Sequence, residues 1–408
     1  MTTTTETAGH SAPVHHEERK SVLAQILDSS WLTITAAIVI ALLLSSVLIA
    51  AANADVQKAS TYIFARPGDF FGAAWDSISS AYSALFRGSI FDYQASGARR
   101  IRPITETMTS SVPLIFAGLG LAVGFRSGLF NIGAQGQVLL GAAAGTWVGI
   151  TFSMPVGVHL VAACLGAAIA GALWAGIAGF LKARTGANEV IVTIMLNSIS
   201  FYLISYLLTT SLLRQGGSRP ISPAVAANAT FPLLLGSSFR LHLGFIVALL
   251  AAVGVWWLME RSTLGFQFRA VGVNQRAART AGIKVNLVFV LVMLTAGGLA
   301  GLGGAAQVLG TDKTLQAGSA GSIGFDAITV ALLGRSKPLG TVLAALLFGA
   351  LRAGSPLMQT SAGTPIDIVL VIQASIVLLI AAPVLVKELS LVHRIAQLFG
   401  YRMKEARA

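Results

Sequence analysis

Ten separate stretches of this chain are apolar over lengths near that of a membrane span, and this pattern constrains the fold more than any other feature. The first is WLTITAAIVIALLLSSVLIAA at 31–51. Others follow near 104–125, 136–153, 157–181, 188–211, 241–259, 286–309, 323–334, 338–356 and 364–385. A helix needs about 20 apolar residues to cross the hydrocarbon core of a bilayer. The expected fold is therefore all-α: a polytopic membrane protein of about ten transmembrane helices. Composition agrees, because 55% of the 408 residues are hydrophobic and only 11% are charged. Soluble domains carry roughly 25% charge, so this chain cannot build a water-facing surface for a globule of its size. Its 43 glycines suit helices that pack in lipid through small side chains.

The charged residues order the spans. Residues 1–30 form a polar tail, and the apolar run at 31–51 exceeds the 7 to 15 residues of a signal-peptide core, so it reads as an uncleaved first helix. An even number of spans returns the C-terminal tail, 386–408, to the side of the N-terminus. If both tails are cytoplasmic, 17 of the 28 Lys and Arg fall in inside segments and 10 in outside ones, as the positive-inside rule requires. Arg99, Arg100 and Arg102 dissent, just before the second span. They belong to an extracytoplasmic loop, 52–103, whose stretch 70–90 reads as an amphipathic helix lying in the membrane interface. The net charge of +12 is then loop charge meeting anionic lipid. Nucleic acid is not an expected partner, since basic and aromatic residues are not interleaved. A single cysteine, Cys164, excludes an intrachain disulfide.

Within the core, 104–385, two spans are interrupted. Gly128, Gly133 and Gly136 crowd one bend, in FNIGAQG, and Gly321 and Gly324 another, in GSIGFDA. If the two bends correspond, spans two to five and seven to ten form an inverted repeat, with the pathway at its interface. Arg352 and Asp367, near the outer ends of the last two spans, are candidates to pair with each other.

No lysine follows a glycine, so the chain has no G-x-x-x-x-G-K-[ST] loop to hold a nucleotide, and it lacks H-E-x-x-H and G-x-S-x-G. Its longest polar stretch in the C-terminal half is 260–285, expected inside. Asn274 is a good N-cap and Gly282 a good stop, which predicts a two-turn helix, QRAARTA. Its face is Ala277, Ala278 and Ala281, with Arg276 and Arg279 beside it.

That stretch, GFQFRAVGVNQRAARTAGIKV, occurs with GLFNIGAQGQVLLGA at 128–142, ANEVIVTIMLN at 187–197 and GFDAITVALLGRSKPLGTVLAALLFGAL at 324–351. Together these resemble the permease subunits of binding-protein-dependent ABC importers, the group serving branched-chain amino acids, simple sugars and nucleosides. FNIGAQGQ and NEVIVTIMLN are most similar to the nucleoside permeases; a simple-sugar or branched-chain amino-acid permease is the alternative. The resemblance implies a bacterial cytoplasmic-membrane protein that pairs with a second, related permease. It also implies two cytoplasmic ATPase subunits and an extracytoplasmic substrate-binding protein as partners. The chain itself would be no enzyme and hold no cofactor, ATP being used by the partner subunit. The 260–285 loop would couple to the ATPase through Arg269, Gly272, Asn274, Arg276, Ala277, Ala278, Arg279 and Gly282. Polar groups at membrane depth are the candidate translocation pathway: Asn131, Gln135, Glu189, Asn197 and Asp326, with Phe130 and Phe325 placed to stack on a base or sugar. The competing role for the amides is to satisfy backbone groups freed at the bends, and for Glu189 to favour a helix N-terminus. An ion-coupled secondary transporter is a remote alternative, needing titratable groups near the midplane, where Asp326 is the main candidate.

Overall fold

The computed structural model describes residues 30–214 and 219–381. The predicted tails, 1–30 and 386–408, lie outside the described residues apart from Ser30. Among the described residues the chain is helical, with only two isolated β-bridges, Ile221 to Gln316 and Leu233 to His242. The helices are α1 (Ser30–Ala52), α2 (Ala54–Ser60), α3 (Pro67–Ser89), α4 (Arg102–Arg126), α5 (Ala134–Thr151), α6 (Val158–Thr185) and α7 (Glu189–Leu207). After a long connection come α8 (Gly244–Arg261), α9 (Thr263–Val273), α10 (Gln275–Thr280), α11 (Val285–Ala305), α12 (Ile323–Leu333), α13 (Pro338–Ala362) and α14 (Asp367–Ala381). Seven helical segments are long and apolar enough to cross a membrane; α12 and α14 are shorter apolar helices.

The side chains are arranged by the logic of lipid. On α6, Ala163, Ala167, Gly171, Ala175 and Ala178 are buried, while Val161, Leu165, Ile169 and Leu173 face outward, each about 60% exposed. Small residues allow close backbone contact, and large apolar ones meet acyl chains at no hydrophobic cost. α6 approaches α11 closely, so that a Cβ on Gly301 would strike the Ala167 carbonyl of α6. α4 is the most enclosed helix, buried without a break from Val112 to Gly124.

The packing has the exchange expected of an inverted repeat. α4 packs on α12 and α13, whereas α11 packs on α5 and α6. Pairing α4 with α11, α5 with α12 and α6 with α13 swaps these partners. The two central helices meet at Gly120 and Ala296, where a Cβ on the glycine would strike the Ala296 carbonyl.

Two features differ from expectation. The stretch 260–285 holds two helices, because Ser262 caps α9 by accepting from the Gly265 N–H at 2.9 Å. The helix predicted at 70–90 forms as α3, and it is packed on its neighbours: Tyr82 Oη donates to the Leu42 carbonyl of α1 at 2.6 Å, and Gly88 lies against Gly354 of α13.

Candidate functional site

At one end of the bundle lie the C-termini of α4, α6, α8 and α12 and the whole α9–α10 loop. Arg126, Lys182, Arg184, Arg261, Arg269, Arg276, Arg279, Lys284, Arg335 and Lys337 gather at this end. Here α10 is built as its sequence dictates. Asn274 Oδ1 accepts from the Arg276 and Ala277 N–H groups at 2.9 and 3.1 Å, and Gly282 reverses the chain with φ of 84°. Arg276, Ala277, Arg279 and Gly282 are exposed, as is Ala281.

Three of the predicted coupling residues make contacts within the fold. Ala278 is buried, 3% exposed, so it belongs to the fold and not to the outward face, which is made by Ala277 and Ala281. A Cβ on Gly272 would strike the Arg126 carbonyl, which places the α9 C-terminus directly on the turn between α4 and α5. Arg269 donates to Glu260 at 3.1 Å, and Glu260 in turn holds Arg126, the last residue of α4, at 2.7 Å. The loop is thus tied to α4 by a backbone contact and a shared carboxylate.

The two broken helices meet deeper in the bundle. Gln135, at the start of α5, donates from Nε2 to the Gly321 carbonyl at 2.7 Å and accepts at Oε1 from the Gly324 N–H at 2.8 Å. Asp326 lies one turn into α12 and accepts from Ser322 Oγ at 2.8 Å. Phe130 and Phe325 flank the junction, 55% and 49% exposed. Asn131 is 1% exposed; its amide exchanges two hydrogen bonds with Gln137 at 3.0 and 2.9 Å, and its Oδ1 also accepts from Gly133 N–H. Asn197 ties α7 to the first break, donating to the Ile132 carbonyl and accepting from Gly136 N–H, both at 2.8 Å. Both asparagines therefore satisfy backbone freed by the break. Glu189 stands apart, at the coupling-loop end, in an ion pair with Lys182 at 2.5 Å.

The opposite end carries a feature that sequence reasoning missed. α11 continues as a π-helix, Ala306–Asp312, whose widened turns swing Gln307 and Thr311 toward α4 and α13. They line a cavity of about 120 Å³ with Glu106, Thr109, Ser110, Arg240 and Arg352. Arg352 and Asp367 do not pair; Asp312 and Asp326 are the acids that feel its charge. The signal that could have located the cavity is the pair of charges inside spans, Glu106 and Arg352. The π-helix has none, since QVLGTD contains neither proline nor a recognisable cap. His242 braces it from behind: the fully buried ring lies against Gly310, and Nδ1 accepts from the Gly244 N–H at 3.2 Å. Burial and, second, the positive charge of Arg240 push the His242 pKa down to about 4.

Residues 104–382 match the family described as branched-chain amino acid transport system / permease component. The chain belongs to this permease family. Among its relatives, the guanosine ABC transporter permease protein NupP of Bacillus subtilis is 42% identical over 308 residues, covering 75% of this chain and 86% of that protein. The nucleoside ABC transporter permease protein NupB of Lactococcus lactis is 36% identical over 295 residues, 70% of this chain and 81% of the other. The glucose ABC transporter permease protein TsgB13 of Haloferax volcanii is 39% identical over 284 residues, 67% and 75% respectively. No solved structure matches. The permease is membrane-embedded, a transport component that works with ATPase and substrate-binding partners.

Proposed function

We infer that this permease forms the translocation pathway of an ABC importer for nucleosides in the bacterial cytoplasmic membrane, with both termini cytoplasmic. The observation that carries the substrate class is the 42% identity, over three quarters of the chain, to a protein named a guanosine permease. One of two ATPase subunits docks on the exposed Arg276, Ala277 and Arg279 of α10, a second related permease completes the pathway, and an extracytoplasmic binding protein delivers substrate. The chain binds no cofactor of its own. Concentration of basic residues at the α10 end supports placing that end in the cytoplasm.

The ties around Glu260 support a route for the motion. Displacement of α10 carries α9, and the Arg269–Glu260–Arg126 chain together with the Gly272 contact carries the C-terminus of α4. α4 leads within a few residues to the first break, so the Gln135 junction opens or closes with the ATPase. Such alternation of rigid halves about a central site is how repeat-built transporters move substrate.

The relative named a glucose permease makes sugar the second reading. Reconstitution of the complete transporter in proteoliposomes, with ATP inside and binding protein outside, separates them. ATP-dependent uptake of labelled guanosine, undiminished by excess glucose, is expected. Glucose uptake without guanosine uptake would overturn the nucleoside assignment.

A further inference from the structure

The cavity at the far end from α10 has a composition that selects its occupant. Every residue that lines it is polar or charged, and none offers an aromatic ring to receive a nucleobase. At about 120 Å³ it falls below the roughly 300–1,000 Å³ of pockets for whole drug-sized ligands, so it holds a fragment of pentose size. Charges of both signs meet here: Arg240 and Arg352 beside Glu106, with Arg102 paired to Glu106 at 3.6 Å and the adjacent Asp312 held by Gln307 Nε2 at 3.1 Å. The Glu106 carboxylate in the lining disfavours an anion, so the site suits a neutral ligand.

Several of its groups have unused bonding capacity. Glu106 Oε1 is buried and makes no hydrogen bond among the described residues, its nearest cation being Arg102 at 3.6 Å, and Oε2 receives only a long contact, 3.4 Å, from Arg240. Buried polar atoms are nearly always bonded, so an unused carboxylate oxygen calls for an explanation. Arg352 forms no ion pair within 4.0 Å among the described residues, although two carboxylates lie near enough to feel its charge. Gln307 Nε2 is engaged, which leaves its Oε1 free. A carboxylate and an amide oxygen that accept, facing a guanidinium that donates, match two vicinal hydroxyls, each of which both donates and accepts. Arg352 also joins the cavity to the broken-helix junction, since its Nη2 lies 3.0 Å from where a Cβ on Gly321 would stand.

We propose that this cavity is a subsite for the ribose 2′,3′-diol of the substrate, occupied before the nucleoside reaches the Gln135 junction. The inference rests on the nucleoside reading above and adds where, and by which groups, the sugar is recognised.

The test measures guanosine uptake by the complete transporter in proteoliposomes while methyl β-D-ribofuranoside is added as a competitor. The riboside should inhibit, and its 2,3-dideoxy counterpart should not. Glu106→Gln should weaken inhibition roughly tenfold or more, as expected when a charged acceptor is lost, and Gln307→Ala should weaken it less. Since the binding protein is the same throughout, a change in inhibition between variants is a property of the permease. Co-purification with the ATPase subunits checks folding, and if Glu106→Gln fails that check, Gln307→Ala decides. Guanosine uptake that the riboside does not inhibit, or inhibits equally in wild type and both variants, would overturn the subsite and leave the nucleoside assignment standing. Absence of guanosine uptake by the wild type would remove both.

Discussion

Truncating Gln135 should release the join between the two broken helices by an amount that can be worked out from its contacts. The side chain makes two hydrogen bonds across the junction, to the Gly321 carbonyl at 2.7 Å and from the Gly324 N–H at 2.8 Å. A net hydrogen bond contributes ~0.5–1.5 kcal/mol, and a donor left unpaired away from water costs ~1–3 kcal/mol. Gly324 lies in the first turn of α12, where the helix itself supplies no acceptor. Gln135→Ala should therefore destabilise this closed arrangement by about 2 kcal/mol, a factor on the order of 30 in its population. Gln135→Glu keeps an acceptor for Gly324 N–H, favoured by the positive end of the helix, and loses the donor to Gly321; it should recover roughly half. Spin labels on cysteines replacing the half-exposed Phe130 and Phe325, in a Cys164→Ser background, report the separation of the breaks. The assembled transporter carrying Gln135→Ala should gain a longer-distance population, with Gln135→Glu in between. Distance distributions that superimpose for all three proteins would refute the reasoning.

Other expectations are more local. Ala277→Leu should abolish ATP-driven uptake while leaving the amount of folded permease unchanged, whereas Ala278→Leu, forced into a buried position, should destabilise the protein itself by about 1–3 kcal/mol; thermal unfolding in detergent, read beside uptake, distinguishes the two. Glu260→Gln should cut the substrate moved per ATP severalfold with hydrolysis continuing, because the link from α9 to α4 is weakened; simultaneous uptake and phosphate-release measurements check this. His242 has its pKa depressed from 6.5 to about 4, so the unfolded chain binds the extra proton between those values and stability falls as pH drops through them. Between pH 7.5 and 5 the loss should be about 2 kcal/mol, seen as a drop in unfolding temperature that His242→Gln diminishes.

The spans were legible because lipid imposes a one-dimensional rule. The stretches expected at 104–125, 188–211 and 338–356 became Arg102–Arg126, Glu189–Leu207 and Pro338–Ala362, and α10 formed where Asn274 and Gly282 bracket it. Length, apolarity and capping are properties of neighbours along the chain, so the sequence alone carries them. The breaks were legible for the same reason, through glycines within a few residues of each other.

What each break does was decided only by tertiary structure. Gln135 and Gly324 are 189 residues apart, and nothing local to either announces that one caps the other. The same holds for Ala278, chemically identical to Ala277 and one residue away, yet turned inward by a helical rotation of about 100°, and for Asn131, whose amide is consumed by Gln137. Glu106, Gln307 and Arg352 are single polar residues in three different helices, and they become a site only because a π-helix turns one of them toward the other two. Sequence by itself determined which segments form apolar helices and which end carries the positive charge. Which polar side chains serve the backbone and which stay free for a ligand depended on partners brought together from distant helices.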